Sequence, residues 1–213
     1  MTPMPKFLRC LTLAAMLLGG PALAAPVQLS AGQTDYPVIT DTDDSPAGPL
    51  VIDGCTLAAG AQCPGVDLSH ADLSGINLNG ADLSNATMTR VNLTGAQLRG
   101  ADLSGADLRG ARFPMAQMQG LKALGADLTG ANLDGTRLAG ADFTDANLTA
   151  ISMEASWAPK ARFVRARIVA ANLSEAKFYN ADMALARLEA NNIRFTIWEG
   201  VHMEDCSGCP VDW

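Results

Sequence analysis

The sequence predicts an all-β repeat fold in which the chain winds as a four-cornered coil of stacked parallel strands. A unit of Ala, Asp or Asn, Leu, a small polar residue and often Gly recurs from about residue 66 almost to the C terminus, without an insertion. Its period of five fits neither the 3.6 residues per turn of a helix nor the alternation of a flat strand. A corner every five residues closes a square coil after about twenty, and stacked coils pair as strands about 4.8 Å apart.

Two apolar positions of each unit are predicted to fill the coil, the central residue and the Ala two places before it. The other three positions are predicted to face outward. The central residues sort into four columns, which begin at Leu68, Leu73, Leu78 and Leu83 and continue every twentieth residue. These columns define the first to fourth faces, and the second column ends at Ile193. Residues 66–205 would form seven coils, roughly 34 Å long.

Units such as Ala71-Asp72-Leu73-Ser74-Gly75 and Ala131-Asn132-Leu133-Asp134-Gly135 resemble the repeat of the pentapeptide repeat family. The copies cover about two thirds of the chain. The resemblance implies a right-handed quadrilateral β-helix and a scaffold without a shared catalytic site. Some members of that family mimic DNA and bind DNA gyrase. A DNA-mimicking topoisomerase binder is therefore an alternative function, if the protein is cytoplasmic.

Residues 1–24 have the pattern of a secretory signal peptide. Basic Lys6 and Arg9 precede an apolar run, and small residues end at Ala24. Cleavage is predicted before Ala25. No other apolar run approaches the length of a membrane span. We therefore expect a periplasmic or secreted protein that does not insert into a membrane.

Four segments are predicted: signal peptide 1–24, acidic N-terminal extension and cap 25–60, pentapeptide repeat β-helix 61–205 and C-terminal cap 206–213. The extension contains Asp41-Thr42-Asp43-Asp44-Ser45-Pro46, which is typical of a calcium loop or of an acidic linker. The linker is favoured because Pro46 and Ile52 stand where an EF-hand loop has Gly and Glu. Val51-Ile52 is predicted to add a short strand to the first coil.

The acidic charge is unevenly distributed. Loss of Lys6 and Arg9 changes the formal net charge from −7 to −9. Residues 26–150 hold 14 acidic and 6 basic side chains, whereas residues 151–213 hold 8 and 7. Such a field argues against binding to a nucleic acid backbone and favours a cationic partner.

Four cysteines remain after removal of the signal peptide, Cys55, Cys63, Cys206 and Cys209. One pair precedes the first coil and the other follows the last, so a bond between the two ends would exceed the Cα separation limit of about 7 Å. We predict a Cys55–Cys63 and a Cys206–Cys209 disulfide, one at each end. The alternative for the second pair is a redox-active dithiol, although the usual strand-to-helix setting of that motif is not visible.

The residues of a catalytic or metal site are not found together. His70 and His202 lie about seven coils apart. The acidic residues sit mostly before the central Leu, as Asp102 and Asp107 do, and are expected to accept hydrogen bonds from turn amides. The sequence therefore predicts no enzyme activity, no cofactor and no metal.

One group of outward residues on or beside the third face is large and apolar: Trp157, Tyr179, Phe195 and Ile197. Clustered apolar groups on a surface often mark an interface. The alternative is that the C-terminal tail, residues 211–213, folds back and covers them.

A second group is basic and is predicted near the corner of the fourth and first faces: Arg162, Arg165, Arg167 and Arg187. These residues would form an anion patch or pair with neighbouring acids, and surface pairing is favoured.

The predicted function is thus a non-enzymatic extracytoplasmic scaffold. It would bind a protein or other macromolecule through its flat faces, above all the C-terminal part of the third face, and a second copy is one candidate partner. A thiol-disulfide redox protein is the alternative from a different class.

Overall fold

The computed structural model describes Gln28–Leu29 and residues 49–210. The named strands are β1 Gln28–Leu29, β2 Val51–Ile52, β3 Cys55–Thr56, β4 Arg167–Val169 and β5 Arg187–Glu189. β1 and β2 are parallel, β2 and β3 antiparallel, and β4 and β5 parallel. The predicted signal peptide, the segment 41–46 and the tail 211–213 lie outside the described residues.

Backbone pairing repeats every twenty residues. Parallel bridges join each residue before a central position to its counterpart one coil later, from Gln62–Asp82 to Arg187–Ser207. The Leu103 N–H donates to Lys122 O at 2.7 Å, and the Lys122 N–H donates to Ala101 O at 2.9 Å. Each face of the coil is thus a parallel sheet. The predicted right-handed quadrilateral β-helix is confirmed.

Each corner is a tight turn after the central residue. Leu103 O accepts a hydrogen bond from the Ala106 N–H at 3.0 Å, and the intervening Gly105 has φ 69°. A positive φ at the third residue is the signature of a type II turn. The outward carboxylate braces the corner, since Asp102 Oδ1 accepts a hydrogen bond from the Ser104 N–H at 2.9 Å. Asp102 therefore has the structural role expected of it.

The two halves of the coil differ at this third turn residue. Glycine fills most of these positions up to Gly140, whereas eleven successive corners from Asp145 to Phe195 hold other residues with positive φ. A side chain in the left-handed region costs roughly 1–2 kcal/mol per residue. The C-terminal half therefore carries backbone strain that the N-terminal half mostly avoids.

The core is a column of central side chains and alanines. Leu103 and Ala101 are completely buried, like their counterparts in neighbouring coils. In the C-terminal half, Phe163 stacks on Phe143 and meets Phe178 edge-on with centroids 5.7 Å apart. Phe178 in turn stacks on Trp198 at 5.1 Å. The larger central residues thus form one continuous aromatic array, which gains dispersion energy from close packing.

One core prediction is wrong. Ile193, the last member of the second column, is 40% exposed, whereas Trp198 in the same coil is 3% exposed. Trp198 is buried because it stacks on Phe178, whereas the pairing that continues beyond this coil is on the first face, between Arg187 and Ser207. Within residues 49–210, no further coil therefore covers the side chain of Ile193.

Polar residues replace alanine at this end of the prism and cap it. Asn191 Oδ1 accepts a hydrogen bond from the Ala171 N–H at 2.8 Å, and its Nδ2 donates to Ile168 O at 2.9 Å. Thr196 Oγ1 donates to Leu173 O at 2.7 Å. These side chains satisfy backbone groups of the coil below, which is the task of a cap.

Disulfides lie at both ends in the pairing that the sequence predicts. Cys55–Cys63 and Cys206–Cys209 each have a Cα separation of 5.8 Å. At the first end, Val51-Ile52 forms a short buried strand, and this strand pairs with β3 in a hairpin that was not predicted. At the second end, Gly208 passes so close to Leu188 that an added Cβ would lie 2.0 Å from its carbonyl oxygen.

Candidate interaction surface

The third face is built from seven stacked rungs. The residue before each central position pairs with its counterpart in the next coil, so that side chains of successive rungs stand above one another. These outward residues are Asn77, Gln97, Gln117, Arg137, Trp157, Lys177 and Ile197. The consensus Asp is missing from all seven positions. At these seven positions the face therefore presents amide, basic and apolar groups in place of carboxylates.

Trp157 and Tyr179 form a contact at the C-terminal part of this face. Their ring centroids lie 5.6 Å apart with the planes inclined by 53°. Lys177 Nζ lies 5.8 Å from the Trp157 centroid, within the range of a cation–π contact. Trp157 remains 44% exposed. The structure thus brings these two predicted interface residues together and leaves the indole accessible.

The other two predicted interface residues lie apart from this pair. Ile197 is half-buried and belongs to the same column, two rungs from Trp157 with Lys177 between them. Phe195 stands at the third turn position of the second column, and it is 76% exposed. Arg194 lies over its ring at 5.6 Å. Phe195 therefore marks the corner between the second and third faces.

The N-terminal part of the third face is a hydrogen-bonded array of amides around Arg99. Asn79 Nδ2 donates to Gln97 Oε1 at 3.3 Å, and Asn79 Oδ1 accepts from the Arg99 N–H at 2.8 Å. The Arg99 guanidinium donates to Gln117 and, at 3.2 Å, to Gln119. These contacts hold exposed side chains in defined positions.

Three of the four arginines in the predicted anion patch are in ion pairs. Arg162 lies 3.3 Å from Asp142, and Arg165 forms a bidentate pair with Asp145 at 2.6 Å. Arg187 pairs in the same way with Glu189. Arg167, in contrast, donates to Thr149 Oγ1 at 3.2 Å.

The ion pairs shift the titration of their acids. The hydrogen bond from Arg165 lowers the pKa of Asp145, and that from Arg187 lowers the pKa of Glu189. Both carboxylates are charged at physiological pH, and each offsets the positive charge of the arginine beside it. Arg165 and Arg187 therefore attract an external anion less strongly.

The two histidines do not share a site. His202 Nδ1 lies 3.0 Å from Asp182 Oδ1, and its Nε2 lies 3.3 Å from Glu204. His70 belongs to the first coil. Among residues 28–29 and 49–210, no group of three or more His, Cys, Asp or Glu side chains could hold a metal ion.

The cysteine pairs sit in structural settings. A shallow depression of about 280 Å³ lies beside Cys55–Cys63 and is lined by Asp53 and Gln62, without a histidine. At the other end, the Leu188 N–H donates to Ser207 O at 2.7 Å, so the Cys206–Cys209 turn continues the β pairing of the first face. That setting differs from the helix N terminus that activates a redox thiol.

Comparison with protein families decides the class of the chain. A model described as pentapeptide repeats matches eight copies, over residues 61–98, 88–122, 124–156 and 146–183. These segments make up more than half of the 213 residues. The chain belongs to the pentapeptide repeat family. Pentapeptide repeat proteins are typically protein-interaction scaffolds and are generally non-enzymatic.

Solved pentapeptide repeat structures resemble this one. A trypsin-treated variant of QnrB1, a plasmid-mediated fluoroquinolone resistance protein, is 19% identical, with 70% of this chain and 82% of that chain covered and a TM-score of 0.44. HetL from Nostoc sp. strain PCC 7120, involved in heterocyst differentiation regulation, is 24% identical over 66% and 82%, with a TM-score of 0.30. A protein from the Arabidopsis thaliana thylakoid lumen is 33% identical over 43% and 64%, with a TM-score of 0.23. Curated protein sequences give no significant match.

The structure also bears on membrane association. Within the part of the chain that is described, no helical segment has the length and apolarity needed to cross a lipid bilayer.

The array around Arg99 and the basic side chain of Arg137 were not predicted from the sequence. A usable signal is present, because the outward residues before the central positions of the third face include no Asp but do include Arg137 and Lys177. Asn191 could have been found in the same way, since it is the one polar residue in an otherwise apolar inward column, whereas Thr196 shares its column with Thr136 and Ser156.

Proposed function

We propose that this pentapeptide repeat protein is a non-enzymatic extracytoplasmic scaffold whose third face binds a macromolecular partner. The contact between the exposed Trp157 and the half-buried Tyr179 carries the proposal. Aromatic side chains are enriched in the energetically dominant parts of interfaces, and a ring fixed by a neighbour loses little conformational freedom on binding. Lys177 adds a cation beside the rings, so the surface is suited to a partner that is partly apolar and partly anionic.

The flat geometry supports a large partner. The rungs of the third face stand on paired strands about 4.8 Å apart, which gives a rigid surface rather than a cleft. Rigid surfaces require little ordering when they bind. The two disulfides support the extracytoplasmic location, because such bonds persist in oxidising compartments.

Affinity capture tests the binding face. The tagged full-length protein and a variant that combines Trp157→Ser with Tyr179→Ser are each expressed in the native organism. Each is then isolated together with the molecules bound to it. The matched control is Leu124→Ser, which removes an apolar side chain of similar exposure, 41%, from the fourth face. We expect the control to retain the partner and the double variant to lose it. Equal retention by both variants would show that the third face is not the interface.

Cell fractionation tests the location separately. We expect the protein outside the cytoplasm, with a mature N terminus at Ala25 and no free thiols. A cytoplasmic protein with reduced cysteines would contradict the proposal and would favour the topoisomerase-binding alternative instead.

A further inference from the structure

The third face has the opposite charge to the rest of the prism. Its outward positions hold Arg99, Arg137, Lys160 and Lys177, and the first acid on it is Glu199 in the last coil. Each of the other three faces carries at least four acidic side chains, and the full chain has a net charge of −7. An electropositive strip thus runs along one side of an acidic protein.

The cations of this strip are not neutralised within the described residues. The ion pairs there lie on the first and fourth faces, as Arg109–Asp107 and Arg165–Asp145 do. On the third face, the Arg99 guanidinium is held by the uncharged amides of Gln117 and Gln119. Lys177 is held over the Trp157 ring. The strip therefore offers cations to an external anion, and two of them, Arg99 and Lys177, are held in place.

We propose that the third face binds an extended acidic polysaccharide, a chain of carboxylate-bearing sugars that lies along the prism axis. This inference rests on the proposed function, since it names the partner class of the same surface. Arg99, Arg137 and Lys177 provide charge-assisted hydrogen bonds to carboxylates. The amides between them both donate and accept, as sugar hydroxyls do. The exposed Trp157 ring offers an apolar face to the C–H groups of a sugar ring.

An acidic peptide fits this surface less well. Extended peptides are bound by adding a strand to an open sheet edge. The rungs of the third face are internal, because Gln117 pairs with Gln97 on one side and with Arg137 on the other. Only side chains are presented, at a spacing of about 4.8 Å that differs from the 3.3 Å rise of a strand.

A second copy and a nucleic acid are also disfavoured. The fourth face is the most acidic, but four of its seven acids, Asp142, Asp145, Asp182 and Glu204, already contact basic residues of the same chain, which reduces its attraction for the cations of a second copy. A nucleic acid backbone carries charge densely, with roughly one phosphate per 1.7 Å of duplex and one per 3.4 Å along each strand. The surrounding acidic faces would repel such a dense charge.

Binding of purified full-length protein to immobilised polygalacturonate tests the inference, with neutral dextran and single-stranded oligothymidylate as comparison probes. The test variant combines Arg99→Gln and Arg137→Gln. The control combines Arg90→Gln and Arg112→Gln, which removes the same charge from exposed positions of the first and second faces. Circular dichroism and gel filtration verify that each variant is folded and report its oligomeric state.

We expect the parent and the control to bind polygalacturonate and not dextran, and the test variant to bind at least about tenfold more weakly. The inference would be overturned if the parent did not bind polygalacturonate, or if it bound dextran equally well or oligothymidylate more tightly. Equal weakening of polygalacturonate binding in the two double variants would also overturn it. The parent could fail to bind polygalacturonate while the variant with both Trp157→Ser and Tyr179→Ser still loses its partner in affinity capture. In that case the proposed function stands and the polysaccharide assignment is wrong.

Discussion

Phe163 stacks on Phe143 in the fourth column, with ring centroids 5.3 Å apart and planes inclined by 6°. Because Phe163 also contacts Phe178, it links two columns of the C-terminal core. We expect Phe163→Ala to lower the free energy of unfolding by about 3–5 kcal/mol, since a coil cannot collapse onto the cavity. Urea unfolding measures the change, and the adjacent outward Arg162→Gln should cost less than about 1 kcal/mol. Similar midpoints for the two variants would contradict the core assignment.

Ser156 is a polar residue in the buried alanine column of the third face. Its hydroxyl has no hydrogen-bond partner within the described residues, whereas Thr136 one coil below donates to Leu133 O at 2.7 Å. An unsatisfied buried polar group costs about 1–3 kcal/mol. Ser156→Ala should therefore raise the midpoint of thermal unfolding, and Thr136→Val should lower it. The opposite order would mean that Ser156 has a partner.

Ala170 and Ala190 occupy third turn positions with φ 55°. Glycine adopts this conformation without the steric cost that a Cβ brings. We expect Ala170→Gly and Ala190→Gly each to raise the thermal midpoint. Ala184→Gly is the control, because Ala184 is not among the positive-φ residues. Glycine there should lower the midpoint by increasing the entropy of the unfolded chain. A uniform loss at all three sites would disprove the strain argument.

His202 makes stability depend on pH near neutrality. Its hydrogen bond to Asp182, with Glu204 also close, raises the pKa of the ring above its ordinary value. A raised native pKa stabilises the fold fully below the unfolded value of about 6.5, and the contribution is lost as the pH rises through the native pKa. Parent protein should exceed His202→Gln in thermal midpoint at about pH 5.5 by more than at about pH 8. A difference independent of pH would refute the assignment.

The regular part of the fold was predictable because the five-residue repeat continues without insertions. Only one assignment of the inward-facing positions is then consistent with the apolar pattern. Leu103 and Ala101 are buried for that reason, and both disulfides follow once the coil separates the two ends. Ile193 was mispredicted because its burial depends on whether another coil lies above it, which the pattern within a unit does not encode.

The surface was less predictable than the core. Trp157 and Tyr179 stand out in the sequence as departures from the repeat, but their contact depends on side-chain directions at positions 22 residues apart. Likewise, the repeat position of Arg165 predicts that acidic residues lie nearby. Its bidentate pairing with Asp145 is visible only in the three-dimensional structure. Outward side chains have several rotamers, so repeat position alone does not fix their partners.

Photocrosslinking in intact cells tests the binding role of the third face most directly. Photoreactive benzoylphenylalanine is placed at Tyr179 on the third face or at Val169 on the opposite first face, which occupies the same repeat position in the same coil. We expect a covalent adduct with a macromolecular partner from position 179 and none from position 169. Equal adducts from both positions, or an adduct from position 169 alone, would contradict it.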